Sequence, residues 1–187
     1  MENKRQTIIR TAAELFSQDG FHAVGVDRII EVSGVAKMTM YRHFGSKDEL
    51  VAEVLKERDA QRTQSLHTYV ARFDTPFARL RAIFEWHEQW FNSQNLTGCL
   101  FAHAAAEFQD KSSDIHQITQ KQKESFVDFL EAELLALTGK QAAKKLSRTL
   151  VMLLDGATLD AQILGRKNAV MDAWASAQYL IPRQTDK

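Results

Sequence analysis

The stretch Val26–Leu50, VDRIIEVSGVAKMTMYRHFGSKDEL, constrains this chain more than any other. Ile29 and Ile30 lie one helical turn from Val26 and Ser33, and Met38, Met40, Tyr41 and Phe44 recur at helical spacing beyond Ser33-Gly34-Val35. The pattern predicts two short amphipathic helices meeting across a glycine-containing corner. Neither is long enough to be stable alone, so both must be held by the helix before residue 20 and the helix after residue 46. Ser46-Lys47-Asp48-Glu49 sets a serine at an N-cap with a glutamate three residues on. That is the capping box of a new, long helix carrying Leu50, Val51, Val54 and Leu55.

With the apolar positions assigned to packing, Lys37, Thr39, Tyr41 or part of it, Arg42, His43 and Lys47 remain for the surface. Hydroxyls and cations on one side of a module suit phosphate, and the exposed start of the second helix suits base edges. The stretch therefore predicts a helix-turn-helix whose second helix enters a DNA major groove. The same geometry also serves as a packing unit in enzymes. The formal net charge is zero, from 24 basic and 24 acidic side chains, so no global field marks a nucleic-acid binder. Any positive patch must be local, with Glu14, Asp19, Asp27 and Glu31 turned away from it. Lys4, Arg5 and Arg10 offer a basic lead toward the DNA backbone.

The residues GFHAVGVDRIIEVSGVAKMTMYRHFGSKDELV are similar to the N-terminal signature of the TetR family of bacterial transcriptional regulators. The similarity is carried above all by Ile29, Gly34, Val35, Thr39, Tyr41, His43, Phe44, Lys47, Leu50 and the Phe16 to Gly20 end of the first helix, and spans about residues 5 to 55. It implies a homodimer on a palindromic, double-stranded DNA operator, released by a small-molecule effector bound in a helical C-terminal body. Carried onto this chain, the DNA-binding residues are Gly25, Lys37, Met38, Thr39, Tyr41, His43 and Lys47. Two positions depart from the family pattern. Gly25 stands where threonine or serine is common, leaving only a backbone amide, and Met38 stands where glycine is common, offering apolar contact to a thymine methyl.

The whole chain reads as all-α, with a three-helix head over residues 1–50 and a six-helix regulatory and dimerisation body over 51–187. Residues 4–18 form the first helix, with Ile8, Ile9, Ala12, Leu15 and Phe16 on one stripe and Gly20 at its end. The fourth runs from about Lys47 to Tyr69 or Phe73, and Thr75-Pro76 starts the fifth. That fifth helix, to about Phe91, is the most aromatic segment, with Phe77, Phe84, His87, Trp86, Trp90 and Phe91. It fits either a packed core or the wall of a cavity for an apolar or aromatic molecule. Asn92 to Gly98 reads as a polar loop, Cys99 to Phe108 as a sixth helix, and the seventh runs from Ile115 to before Thr138-Gly139, capped by Asp114. GCLFAHAAAEFQD, residues 98–110, also resembles a segment of a small-molecule-responsive subset of the family. The expected ligand-binding set is Phe73, Phe84, His87, Trp90, Cys99, His103, Phe108, Phe126 and Asp155. His103 and Glu107, one turn apart, are candidates to satisfy each other.

Gln141 to Leu164 and Ala169 to Leu180 make the last two helices, and the chain from Pro182 reads as a frayed tail. In the resembling family such a pair meets its symmetry mate, which implies an interface of Leu146, Leu150, Leu153, Ala157, Ala161, Val170, Trp174 and Ala177. Burial of the same residues within one chain is the competing reading.

Cysteine usage and the amino terminus point to a cytoplasmic protein without a membrane partner. There is one cysteine, MENKRQTIIR lacks an apolar leader, and no run approaches the length of a membrane span. No paired acids, glycine-rich phosphate loop or metal-ligand spacing is evident, so neither a cofactor nor a metal is expected, nor an enzyme. Cys99 with His103 has helical spacing but no orienting third group. Two other readings stay open: Cys99 as the thiol of an electrophile- or oxidant-sensing repressor, and the body as a non-catalytic helical protein-interaction module.

Overall fold

The computed structural model describes residues 3–92 and 97–182. Among them are nine helices and no strand: α1 (Lys4–Asp19), α2 (Val26–Ser33), α3 (Lys37–His43), α4 (Lys47–Val70), α5 (Pro76–Phe91), α6 (Leu100–Glu107), α7 (Asp114–Leu135), α8 (Lys140–Leu164) and α9 (Ala169–Leu180). None of these helices is long and apolar enough to cross a membrane. Most of the loop expected over 92–98, residues 93–96, lies outside the described residues, as does the tail expected beyond Pro182.

Local chemistry fixes most boundaries. The Asn3 carboxamide accepts the Arg5 amide at 3.1 Å to start α1, and Gly20, with φ at 85°, ends it. Gly34 closes α2 in the left-handed region at φ 66°, its amide donating to the Ile30 carbonyl at 3.0 Å. Ser46 Oγ accepts the Glu49 amide at 3.1 Å, and the Glu49 carboxylate accepts the Gly45 amide at 2.8 Å. The capping box thus closes one residue earlier than its usual form, on Gly45 rather than on Ser46 itself. Thr75 Oγ1 accepts the Ala78 amide at 3.2 Å ahead of Pro76. For α7 the cap is Ser113, whose Oγ accepts the His116 amide at 3.2 Å, and Asp114 is the first helical residue rather than the cap.

The chain divides into two compact units, Met1–Gln61 with Thr97–Gln122, and Arg62–Leu96 with Lys123–Lys187. By packing, the head therefore takes in more than residues 1–50. Val54 and Leu55 of α4, Leu100, Phe101 and Ala104 of α6, and Ile115 of α7 are all buried in one cluster with Phe16, Phe21, Ile29, Met40 and Phe44. Arg5 pairs with Glu53 and Gln6 with Glu57, tying α1 to α4. Arg5 is thereby committed within the fold, its guanidinium also lying 5.5 Å from the Phe44 ring, rather than extended as part of a basic lead.

The second unit packs α5, α8 and α9 with the ends of α4 and α7. Its core holds Leu66, Leu80, Ile83, Phe84, Leu130, Leu134, Leu150, Leu154, Val170 and Ala177. Trp174 of α9 lies between two rings of α5, 5.5 Å from Phe77 and 5.2 Å from Phe84. Small residues on the facing helices, among them Ala157, Ala161 and Ala173, are buried and permit the close approach of α8 and α9.

Candidate functional site

In the first unit, α2 and α3 meet at the corner built by Ser33 and Gly34. Ser33 Oγ donates to the Ile30 carbonyl at 3.3 Å and accepts the Val35 amide at 3.4 Å, which carries the chain into α3. Met40 of α3 is fully buried and Phe44 nearly so, whereas Met38 is 81% exposed and Tyr41 43%. Helical periodicity has thus split α3 into an anchoring face and an outward face. Lys37 and Arg42 are exposed on the outside, and Thr39 and His43 are half-buried at its margins.

One ion pair and one hydrogen bond adjust the expected surface. Asp27, expected to face away, lies beside α3: its Oδ1 is 3.0 Å from Lys37 Nζ. The hydrogen bond from Lys37 and the Asp27 charge raise the Lys37 pKa, so the ammonium is fixed as a cation. Lys47, half-buried at the start of α4, donates to the His22 carbonyl at 3.5 Å. An ammonium with three donors keeps capacity for a phosphate after that one bond. Gly25 caps α2 in an extended conformation without a side-chain bond, and a Cβ built there would meet nothing within 4 Å.

A family model for bacterial regulatory proteins of the tetR family matches residues 8–54, and one described as the tetracyclin repressor-like C-terminal domain matches residues 76–177. The chain belongs to the TetR family. It is accordingly a sequence-specific DNA-binding regulator and not an enzyme.

Relatives agree with that membership. The HTH-type transcriptional regulator LmrA of Bacillus subtilis is 26% identical over 161 residues, which cover 84% of this chain and 85% of LmrA. The HTH-type transcriptional activator FasR of Mycolicibacterium smegmatis is 40% identical over 55 residues, 29% of this chain but only 25% of FasR. Among solved structures, a TetR-family regulator from Streptomyces coelicolor superposes with a TM-score of 0.90 at 25% identity, covering 95% of this chain and 93% of the other. The reduced form of Escherichia coli NemR gives a TM-score of 0.85 at 22% identity, over 98% and 100% of the two chains, a likeness of fold.

In this TetR-family chain the expected effector residues fall into both units. Phe73, Phe84, His87, Trp90, Phe126 and Asp155 belong to the second, and Cys99, His103 and Phe108 to the first. Cys99 is the half-buried N-cap residue of α6 and packs against the head core. Phe108 packs on Phe21 at 5.8 Å and His22 at 4.9 Å. The Glu107 carboxylate accepts the Phe21 and His22 amides at 2.9 and 2.6 Å. No local pattern pointed to that bond, which joins residues 86 positions apart.

His87 is the centre of the second-unit group. It is buried, its Nδ1 bonds the Ile83 carbonyl at 2.7 Å, and its Nε2 faces Arg62 at 3.1 Å. Because arginine only donates, Nε2 must be the acceptor and Nδ1 must carry the proton. Burial first, then the Arg62 charge, lowers the pKa to about 3, so the imidazole is neutral. Phe126 and Trp86 lie 5.5 and 5.0 Å from its ring and Trp90 6.4 Å, and the Arg62 guanidinium sits 4.6 Å from the Phe126 ring. Asp155 is exposed and bound by Lys123 at 2.6 and 2.8 Å, while Phe84 packs on Trp174 and Phe73 on Tyr69. Arg62 and Lys123 were absent from the expected set because their places depend on helix pairing that no local spacing encodes.

The residues expected at a dimer interface are largely spent inside one TetR-family protomer. Leu150, Val170 and Ala177 are inaccessible or nearly so, Ala157, Ala161 and Trp174 are buried, and Leu146 and Leu153 are half-buried against the same core. A side chain with no exposure cannot meet a second chain unless the core opens. What α8 leaves outside is a different stripe, Met152, Leu159 and Ile163, with Gly156 on the same face and Tyr179 exposed on α9. The spacing of 152, 156, 159 and 163 is itself helical, one or two positions from the expected stripe.

Proposed function

We propose that the chain is a repressor that grips a palindromic operator as a homodimer and lets go when a small apolar or aromatic molecule enters its second unit. The observation that carries the DNA reading is the two-faced α3, with Met40 sealed in the core and Met38 and Tyr41 turned outward. On this reading Lys37 and Met38, with part of Thr39, approach base edges, while Tyr41, His43, Lys47 and the Gly25 amide hold the sugar-phosphate backbone. Dimerisation is supported by the exposed Met152, Leu159 and Ile163 stripe, since an apolar helix face of that kind is usually covered. The effector site is supported by the neutral His87 among Trp86, Trp90 and Phe126, where the His87–Arg62 pair supplies polar groups within aromatic surface. Occupancy favours a dimer whose two heads no longer match the half-sites.

The test begins with selection of a duplex from a randomised pool by the wild-type protein. A two-fold symmetric consensus bound by a dimer supports the reading, and Ile163→Asp should yield monomers with at least tenfold weaker binding. An asymmetric consensus bound by a monomer would overturn it. Since FasR is named an activator, transcription in vitro from a promoter carrying the selected site decides the sense of regulation.

A further inference from the structure

The last residue of α6 holds the turn that leads into the DNA-binding helices. Glu107 Oε1 accepts the Phe21 amide at 2.9 Å, and Oε2 accepts the His22 amide at 2.6 Å and lies 2.9 Å from His22 Nδ1. Two successive backbone N–H groups therefore converge on one carboxylate, a geometry that favours its charged form. Burial works against that charge, but the two amides and the His22 ring outweigh it, and the Glu107 pKa is lowered. Gly20 makes the approach possible: its φ of 85° suits glycine, and a Cβ there would stand 3.1 Å from Oε1. Phe108 flanks the bond with its ring against Phe21 and His22.

The carbonyl of His22 is held as well, accepting Lys47 Nζ at 3.5 Å. Two hydrogen bonds joined through the backbone of His22 thus link Glu107 of α6 to Lys47, the first residue of α4. We propose that Glu107 is a positioning residue for DNA binding, setting the turn before Gly25 and, through His22, the place of the Lys47 ammonium. It lies far outside residues 8–54, where the family's DNA-binding model matches. The proposal rests on the reading of Lys47 as a phosphate contact.

Salt dependence separates positioning from mere support of the fold, since a protein that neutralises one phosphate fewer has a slope of log K against log salt shallower by about one. The wild type, Lys47→Met, Glu107→Ala, Glu107→Gln and the Lys47→Met/Glu107→Ala pair are titrated with the selected duplex from 50 to 200 mM salt, with thermal melting recorded for each. Glu107→Ala is expected to weaken binding about tenfold and to lower the slope by about one, as Lys47→Met does. The pair should be little worse than either alone, and Glu107→Gln, which keeps one acceptor oxygen, should fall between. If Glu107→Ala does not fold, Glu107→Gln is read in its place. A wild-type slope in folded Glu107 variants, or effects that simply add to that of Lys47→Met, would overturn the proposal. A wild-type slope in Lys47→Met itself would remove the phosphate contact, and the proposal with it.

Discussion

The Lys37 ammonium stands 3.0 Å from the Asp27 carboxylate, joining the first turn of α2 to the first turn of α3. Both side chains are well exposed, so the pair contributes little to folding. Its importance is for the ligand: a lysine shared with an acid gives up that partner before it serves a phosphate or a guanine edge. Asp27→Asn should therefore bind the selected duplex several-fold more tightly and with a salt slope steeper by about one, while the melting temperature barely moves. Equal slopes for variant and wild type would mean that Lys37 stays with Asp27 on DNA.

Tyr41 lies on the outward face of α3, 43% exposed. Tyr41→Phe removes one donor and almost no volume. If that donor meets a phosphate, the variant should lose about 1.5 kcal/mol of binding, roughly tenfold, because hydrogen bonds to charged groups are among the stronger ones. Isothermal titration with the same duplex measures the difference, and unaltered affinity would take Tyr41 off the contact surface.

His87 makes the stability of the second unit depend on pH. Its folded pKa of about 3 lies below the ordinary value of 6.5, so between these the unfolded chain binds a proton that the folded chain does not. Stability from this group is complete above about pH 7 and falls as pH drops from 6.5 toward 3, by about 1.4 kcal/mol per pH unit. Urea unfolding at pH 7 and pH 5 should give a gap that shrinks in His87→Gln. The same gap in both proteins would assign the acid sensitivity elsewhere.

Trp174 separates core from interface. Its ring is buried against Phe77 and Phe84 in one protomer. Trp174→Ala should cost about 4 kcal/mol of unfolding free energy, as large aromatic truncations do. Removing the exposed Leu159 side chain should instead spare the protomer and weaken association. Denaturation at several protein concentrations distinguishes the two: a Trp174→Ala defect that vanishes at high concentration would return this residue to the interface.

What could be read from the sequence was whatever a few adjacent residues decide. Gly34 at the corner, Ser46 with Glu49, and Thr75 with Pro76 each carry their own stereochemistry, and the helices began and ended at them. The division of α3 into faces was legible only in part: Met40 and Phe44, one turn apart, are buried as their spacing implies, whereas Met38 and Tyr41, grouped with them by the same helical spacing, are exposed. The cap of α7 went to Ser113 because serine and aspartate are both good caps, and only geometry decides between neighbours. Helix α8 was harder, being apolar on more than one side. Leu150, Leu154, Ala157 and Ala161 form one stripe and Met152, Leu159 and Ile163 another, and which points inward depends on where α5 and α9 lie. Glu107, Arg62 and Lys123 acquire their roles only from partners distant in sequence.

The burial of Leu100, Phe101 and Ala104 with Phe16, Phe21 and Phe44 bears on how such a regulator can be taken apart. A fragment cut after residue 50, or even after Gln61, would leave those rings without their cover and the Phe21 and His22 amides without an acceptor. Anyone grafting this DNA-reading module onto another regulator would have to transplant α6 along with it. Specificity here is not a cassette that ends where its sequence signature ends.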